Sequence, residues 1–568
     1  MPLTALKFKP GINRETTSYS NEGGWFTCDK IRFRFGYAEK IGGWSAYSDS
    51  TFLGTSRALF SWVALDGTKF LGIGTNLKYY IADGSIYYDI TPIRTTTTNA
   101  TTFSATNGSA VITVTDNGHG AKLNDFVTFS GAATLGGTVT ATVLNAEHQI
   151  TEIVNNNSYK ITVSSAANSS DSGNGGGSVT SVYQINTGLD TNFFGTGWGA
   201  GVFGGTTLSL PSTAINDGSG LTASATSVTV DSASSFSNTG FLKIDDEIME
   251  YTAKTSTTFT GLIRGALGTT AATHADNATV IEATFGWGMQ ATTTIPGENL
   301  SNWTHDNFGE DLLLNVRNGG IYYWDRTSGT SARAVELSSL SGSASAPSVA
   351  KQIMVSDQDR HIIAFGCDSE ANPGTQDPLL IRFGSQESLI AWQSLATNTA
   401  GELRLSTGSE IVVAVQTKQQ ILIYTDVSLH GMQFLGPPFT FGLTEISRNV
   451  TIASPNAAVA VNDFVFWMGS KEFYVYSGTV ARLPCTVLDY VFSDFNRDQI
   501  GKVTAGHNSS YGEVWWFYPS GSATENDRYV IYNYQEKVWY FGNLARTAWV
   551  DRGINQYPIA ASTDNKLY

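Results

Sequence analysis

A two-strand unit recurs along this chain: an aromatic-rich strand, a Gly/Asn/Asp turn and a second aromatic-rich strand. It reads FLGIGTNLKYYIADGSIYYDIT at residues 70–91, DLLLNVRNGGIYYWD at 311–325, DFVFWMGSKEFYVYSG at 463–478, and EVWWFYPSG…DRYVIYNYQEKVWYFG across 513–542. Each hairpin shows apolar side chains on both faces, so a lone copy leaves apolar surface in water. Stacked copies bury each other, which makes repetition the strongest constraint on architecture. Six or seven such units are spread along the chain, a number that suits blades about an axis.

The 568 residues suffice for several domains and a large core. Charged residues are only 15 %, against a typical quarter, and Thr, Ser, Asn and 58 Gly take their place. That mixture favours short strands and tight turns over long helices. Formal net charge is −15. An acidic chain does not grip a nucleic-acid backbone, which needs clustered Lys and Arg. It is compatible with a passage along which DNA slides, and equally with charge that only keeps a large protein soluble. Cys28, Cys367 and Cys485 are odd in number and far apart, so they suggest neither a disulfide framework nor a metal knuckle. The N-terminus shows no signal-peptide core, and no apolar run is long enough to span a bilayer. The expectation is synthesis in the cytoplasm without a membrane anchor.

Changes of texture divide the chain. Residues 1–94 read as an extended arm followed by the first part of a propeller. In 95–181 aromatics thin out, and alternating stretches such as SAVITVTDN and YKITVSS predict a first inserted β-domain. Its SSDSGNGGGS run, at 169–178, reads as a loop or tether. Residues 182–209 form a Gly/aromatic linker, and 210–284 read as a second inserted β-domain of about five short strands. Residues 285–568 return to the hairpin pattern. One helix is predicted over 486–499, where Leu488, Val491, Phe492 and Phe495 fall at helical spacing after Pro484. The final hairpin is incomplete; either the first segment closes it or the natural chain extends further.

No motif carries catalysis. Gly199, Gly201 and Gly204 satisfy G-x-G-x-x-G, but no helix pattern follows to meet a pyrophosphate, and Phe193, Phe194, Trp198 and Phe203 interleave with them. This reads as a packed or interface-forming link. Asp245, Asp246, Glu247 and Glu250 form the densest acidic cluster; EF-hand spacing is missing, and a solvated strand edge or turn is the plainer reading. His119, His148, His274, His305, His361, His430 and His507 make no zinc pattern. Asp357 and Asp359 match glycosidase carboxylates only by residue type, and turn chemistry accounts for them. Trp515, Trp516, Phe517, Tyr518, Tyr529, Tyr532, Tyr534, Trp539 and Tyr540 could stack on sugars; their place inside strands favours a core. Trp324-Asp325 is a single pair and defines no repeat family. The expectation is therefore no catalytic, cofactor-binding or metal residue, and no cofactor.

From Ile411 to Gly542 the order of elements resembles the packaged-DNA-stabilisation proteins, also called tail hub or nozzle proteins, of short-tailed bacteriophages. The stretches concerned are QQILIYTDVSLHGMQF, FGLTEISRNV, NAAVAVNDFVFWMGSKEFYVYSG, the helix around Leu488, GEVWWFYP and YVIYNYQEKVWYF. NFGEDLLLNVRNGGIYYWD, at 307–325, also looks like a stretch of such tail proteins. The likeness covers about half the chain and brings no catalytic residues with it. It implies an all-β protein with a β-propeller-like parent domain; the two small inserted β-domains, of sandwich or barrel type, are where this chain departs from the family. It further implies a non-enzymatic virion tail subunit, forming a homo-oligomeric ring, typically a homo-hexamer, below the portal and adaptor. Such a ring closes the channel after packaging and conducts double-stranded DNA on ejection; its other neighbours would be tail fibre, spike or needle proteins. Two alternatives from other classes are a phage adhesin that binds or cleaves host-surface carbohydrate, and a soluble propeller enzyme.

Overall fold

The computed structural model describes residues 8–17, 19–173, 178–190, 211–266, 269–283, 300–521 and 523–568. The chain is all-β and divides into two compact units: Met1–Thr96 with Val182–Asn192 and Asn299–Tyr568, and Thr97–Ser181 with Phe193–Glu298. The Gly/aromatic stretches at 193–204 and 285–290 lie outside the described residues.

The first unit is a seven-bladed propeller. Six blades are four-stranded antiparallel meanders in sequence order. Their first strands are Ser56–Val63, Trp303–Phe308, Gln352–Val355, Ile411–Gln416, Ala458–Val461 and Thr504–Asn508. The seventh blade starts at Ala548–Val550, continues with Ile559–Ala561, and gains a third line where Leu567 bridges Ala561. The N-terminal segment completes it: the Tyr47 N–H donates to the Leu567 carbonyl (2.8 Å) and Phe52 N–H to the Asn565 carbonyl (3.3 Å). The first segment thus packs onto the unfinished hairpin. The first strand of blade seven then lies beside that of blade one, and the circle is complete.

The double-faced hairpins are explained by the cores. Each apolar cluster joins consecutive blades instead of filling one sheet. Leu313 and Ile321 of blade two meet Ile353 and Ile362 of blade three. Met354 and Ile363 of blade three meet Ile423 and Met432 of blade four. Tyr424 of blade four meets Trp467 of blade five, and Leu71 and Ile73 of blade one meet Ala548 and Ile559 of blade seven. The C-terminal aromatics do form a core: Trp515, Trp516, Phe517, Tyr529 and Trp539 are buried against blade five and the N-terminal arm. Burying one such ring removes roughly 200 Å² from water, an upper bound of about 5 kcal/mol each.

The arm packs on blade six. The Ile12 N–H donates to the Trp539 carbonyl (2.7 Å), and the hairpin Ile31–Arg34/Tyr37–Lys40 carries Arg32 onto Glu513. The helix predicted over 486–499 is shorter, Leu488–Ser493. Phe495 leaves helical geometry to bridge Ser520, and Asn496 N–H donates to the Pro519 carbonyl (3.0 Å). Asn496 then caps a separate 3-10 segment, Arg497–Lys502. Backbone pairing with blade six outweighs the helical periodicity of four residues.

In the second unit, the first insert is an eight-stranded sheet that includes Ile93–Thr98 at one edge and Asp171–Ser172 at the other. Ile112, Val114, Phe129, Ile150 and Tyr159 are buried at alternate positions along it. The second insert pairs a four-stranded sheet with a three-stranded one. Leu242, Ile244, Met249, Tyr251 and Phe259 fill its core.

Candidate functional site

The first strands of all seven blades converge on one cavity of about 330 Å³ along the propeller axis. Its wall is mostly small or apolar, with Ala58, Leu59, Ile353, Met354, Val413, Ala414 and Ala505 contributing. Side chains substitute for strand-to-strand pairing where inner strands diverge. Gln352 and Ala414 exchange two hydrogen bonds between blades three and four, 2.8 and 2.7 Å. Thr304 Oγ1 accepts from Ile353 N–H (3.1 Å) and Asp306 Oδ2 from Val355 N–H (2.8 Å), which ties blade two to blade three.

The axis is stoppered. Asn456, entering blade five, donates through Nδ2 to the Arg57 carbonyl of blade one (3.0 Å) and to Asn302 Oδ1 before blade two (3.2 Å). One amide thus spans the centre of the ring. Beside it, Arg57 makes a bidentate pair with Glu525 (3.0 and 2.8 Å) and a third contact to Asp190 (2.8 Å). Lys502 Nζ joins Glu525 at 2.7 Å. Glu525 belongs to a loop of blade six, so the cluster staples blades one and six over the short seventh blade. The Arg57 side chain is 4 % exposed. The two cations hold the Glu525 carboxyl below its usual range against the effect of burial, while burial and the Arg57 charge push the Lys502 ammonium down.

Besides Arg57, two ionisable groups line the cavity. Burial depresses His305 to about 4, so the ring is neutral, and its Nδ1 pairs with the Tyr79 hydroxyl (2.7 Å). Burial raises Asp306 to about 7, helped by Asp357 and opposed by the two backbone N–H groups it accepts. Tryptophans lock neighbouring blades. Trp303 Nε1 donates to the Thr75 carbonyl (2.7 Å) and Trp549 Nε1 to the His507 carbonyl (2.9 Å). Each indole lies on a glycine of the preceding blade: a Cβ on Gly74 would sit 2.6 Å from Trp303, and one on Gly506 2.5 Å from Trp549.

The sequence candidates disperse. Asp359 is buried against His361 (2.8 Å). Trp324 is core and Asp325 caps a 3-10 turn. The acidic cluster of the second insert is not a solvated edge throughout. Asp245 and Asp246 make the hairpin turn, with Asp245 in the left-handed region at φ 51°, but the Glu247 side chain is 1 % exposed. Arg264 grips Glu247 with two bonds of 2.7 Å, His274 Nε2 contacts it at 2.8 Å, and the Gly265 and Ala272 N–H groups donate to it. Glu247 lies at about 2 because these donors outweigh burial. It anchors a loop; it is a structural group. Among the described residues no group of three or more His, Cys, Asp or Glu is placed to hold a metal ion, and no helix is long and apolar enough to cross a membrane. Arg57, Asn456, Lys502 and Glu525 were not singled out from sequence; no spacing connects them.

No protein-family model matches the sequence, and no curated protein matches it. Similar solved structures include the AfRom2 CNH domain, at 14 % identity over 45 % of this chain and 76 % of that one, TM-score 0.30. They also include phage phi92 endosialidase, at 10 % identity over 85 % of this chain and 55 % of that one, TM-score 0.18. An auxiliary nutrient binding protein from Bacteroides ovatus is 10 % identical over 82 % of this chain and 96 % of that one, TM-score 0.26. At such TM-scores these likenesses carry no argument, and the propeller rests on its own strand order and cores.

Proposed function

We propose that this chain is a structural subunit of a short-tailed phage tail, a hub or nozzle protein that assembles as a homo-oligomeric ring. In this reading the ring closes the portal channel over packaged DNA and conducts the DNA on ejection. The observation that supports it most is the stoppered axis. A cavity of about 330 Å³ crossed by the Asn456 amide cannot admit a duplex, whose major groove alone is about 12 Å wide. Each propeller is thus a rigid block, and a DNA passage must lie between blocks. Blades four to six, with the helix Leu488–Ser493 between blades five and six, supply the order of elements that resembles the tail hub family. The −15 charge keeps phosphate from adhering to a lumen built of such blocks.

Carbohydrate cleavage at the axis gains no comparable support. Only Asp306 among the lining residues is acidic, whereas glycoside hydrolysis uses two carboxyl groups. Sedimentation of the purified protein, alone and with the portal and adaptor, tests the ring. The expected species has six times the mass of the 61.0 kDa chain. A monomer under both conditions, or turnover of a polysaccharide, would overturn the reading.

A further inference from the structure

We propose that a second cavity, of about 420 Å³, binds a small zwitterion, a molecule of amino-acid size that carries one carboxylate and one ammonium group. The cavity opens where the inner strands begin: Asn302, Glu410, Pro455 and Gly501 in its wall precede the first strands of blades two, four, five and six. It adjoins the axial cavity, whose Asn456 bonds Asn302 of this wall (3.2 Å). All of its wall belongs to one chain, so the site does not depend on whether the protein forms a ring. The volume is near the lower end for small-molecule sites, which suits a short ligand better than a polymer.

The charges at this mouth select the ligand chemistry. Arg317, Glu410 and Asp426 line the cavity. Glu410 is already matched, since Lys351 Nζ donates to it at 2.5 Å. Arg317 reaches from blade two across blade three and donates to the Val412 and Ile411 carbonyls of blade four (2.8 and 3.3 Å). Both acceptors are neutral, and the Arg317 Nε–H has no partner among the described residues. Burial pushes the Arg317 guanidinium down from its ordinary value, and the carboxylate that opposes this is Glu410. Burial and the Arg317 charge push the Lys351 ammonium down in turn. Two cations thus share one carboxylate. Asp426 is the converse case. It accepts from the Ser409 N–H (2.8 Å) and hydroxyl (2.7 Å) and meets no cation among the described residues. Arg317 and Asp426 are both half-buried, and both are open to the cavity. They form no ion pair with each other, so one charge of each sign is held apart and unmatched in the same wall. A half-buried charge without a counter-charge is costly, and charge-assisted hydrogen bonds are the strong ones. A simple anion answers Arg317 alone and a simple cation answers Asp426 alone. A ligand bearing both groups answers both.

The test is calorimetric titration of the full chain with ω-amino acids from glycine to ε-aminocaproate, whose two charges stand progressively further apart. Butyrate, butylamine and inorganic phosphate carry one sign of charge only. At least one amino acid of the series is expected to bind saturably, about tenfold more tightly than any of these three. Arg317→Gln and Asp426→Asn are each expected to weaken it about tenfold. Asp426→Asn keeps an acceptor for Ser409, so that variant reports on binding even where Arg317→Gln loosens blades two and four. The proposal is overturned if no amino acid of the series binds at concentrations on the order of 10 mM. It is equally overturned if butyrate, butylamine or phosphate binds as tightly as the best amino acid, or if Asp426→Asn binds that amino acid as well as the parent.

Discussion

His305 and Asp306 are neighbours on the inner strand of blade two, and their protons pull stability in opposite directions. Asp306, raised to about 7 from 3.8, keeps its proton in the folded protein where the unfolded chain has lost it. Its contribution is therefore present below pH 3.8 and is lost as pH rises through 7. His305, depressed from 6.5 to about 4, penalises the fold as pH falls through that interval. Asp306→Asn removes the first effect. The variant should gain on the parent by about 2–4 kcal/mol between pH 4 and pH 7, read from urea denaturation. A gap that stays constant across that range would show that Asp306 is not held protonated. Gly506 makes a steric prediction at the same scale. Gly506→Ala forces a Cβ into the Trp549 ring and should cost about 2 kcal/mol, with the unfolding midpoint as readout.

At the scale of elements, blade seven is the weak member, with two strands of its own and a borrowed edge. The Arg57–Glu525 pair reaches over it between residues 468 positions apart. Arg57→Ala leaves Glu525 and Asp190 without their shared cation and should cost about 2–3 kcal/mol, discounted because Asp190 is half exposed. Hydrogen exchange should quicken first at the Ala560 and Tyr568 amides, which bond each other's carbonyls at 2.9 Å. Equal acceleration in blade three would show that the staple is not local to the seam. The strands of these blades were legible in the sequence because two-faced apolar runs and Gly/Asn turns are local signals. The helix after Pro484 was only half legible. Its periodicity continues to Phe495, but the pull of Ser520 on Phe495 comes from a strand that periodicity does not see.

For the whole molecule, the third and fourth strands of blade four, Ser428–Gly436 and Thr440–Arg448, are nine residues each and end in an exposed apolar tip. Leu435 is 59 % and Phe439 75 % exposed. Such a tip suits contact between copies in the proposed ring. Leu435→Asp combined with Phe439→Asp should leave near-UV circular dichroism unchanged and shift the sedimenting species toward the monomer. An intact ring in that double variant would place the subunit contact elsewhere. The ring itself would stand or fall on the sedimentation of the parent.

The sequence alone determined an all-β chain of repeated hairpins with an aromatic core, because alternation, turn residues and composition act over a few neighbours. Only the tertiary structure decided how the circle closes, which amide blocks its centre, and that Glu247 is an anchor instead of a wet turn. These outcomes depend on partners far apart in sequence: Tyr47 with Leu567, Asn456 with Arg57, Glu247 with Arg264 and His274. Hydrogen bonds and ion pairs of that kind have no period along the chain, and their worth is set by burial that exists only after the blades have met.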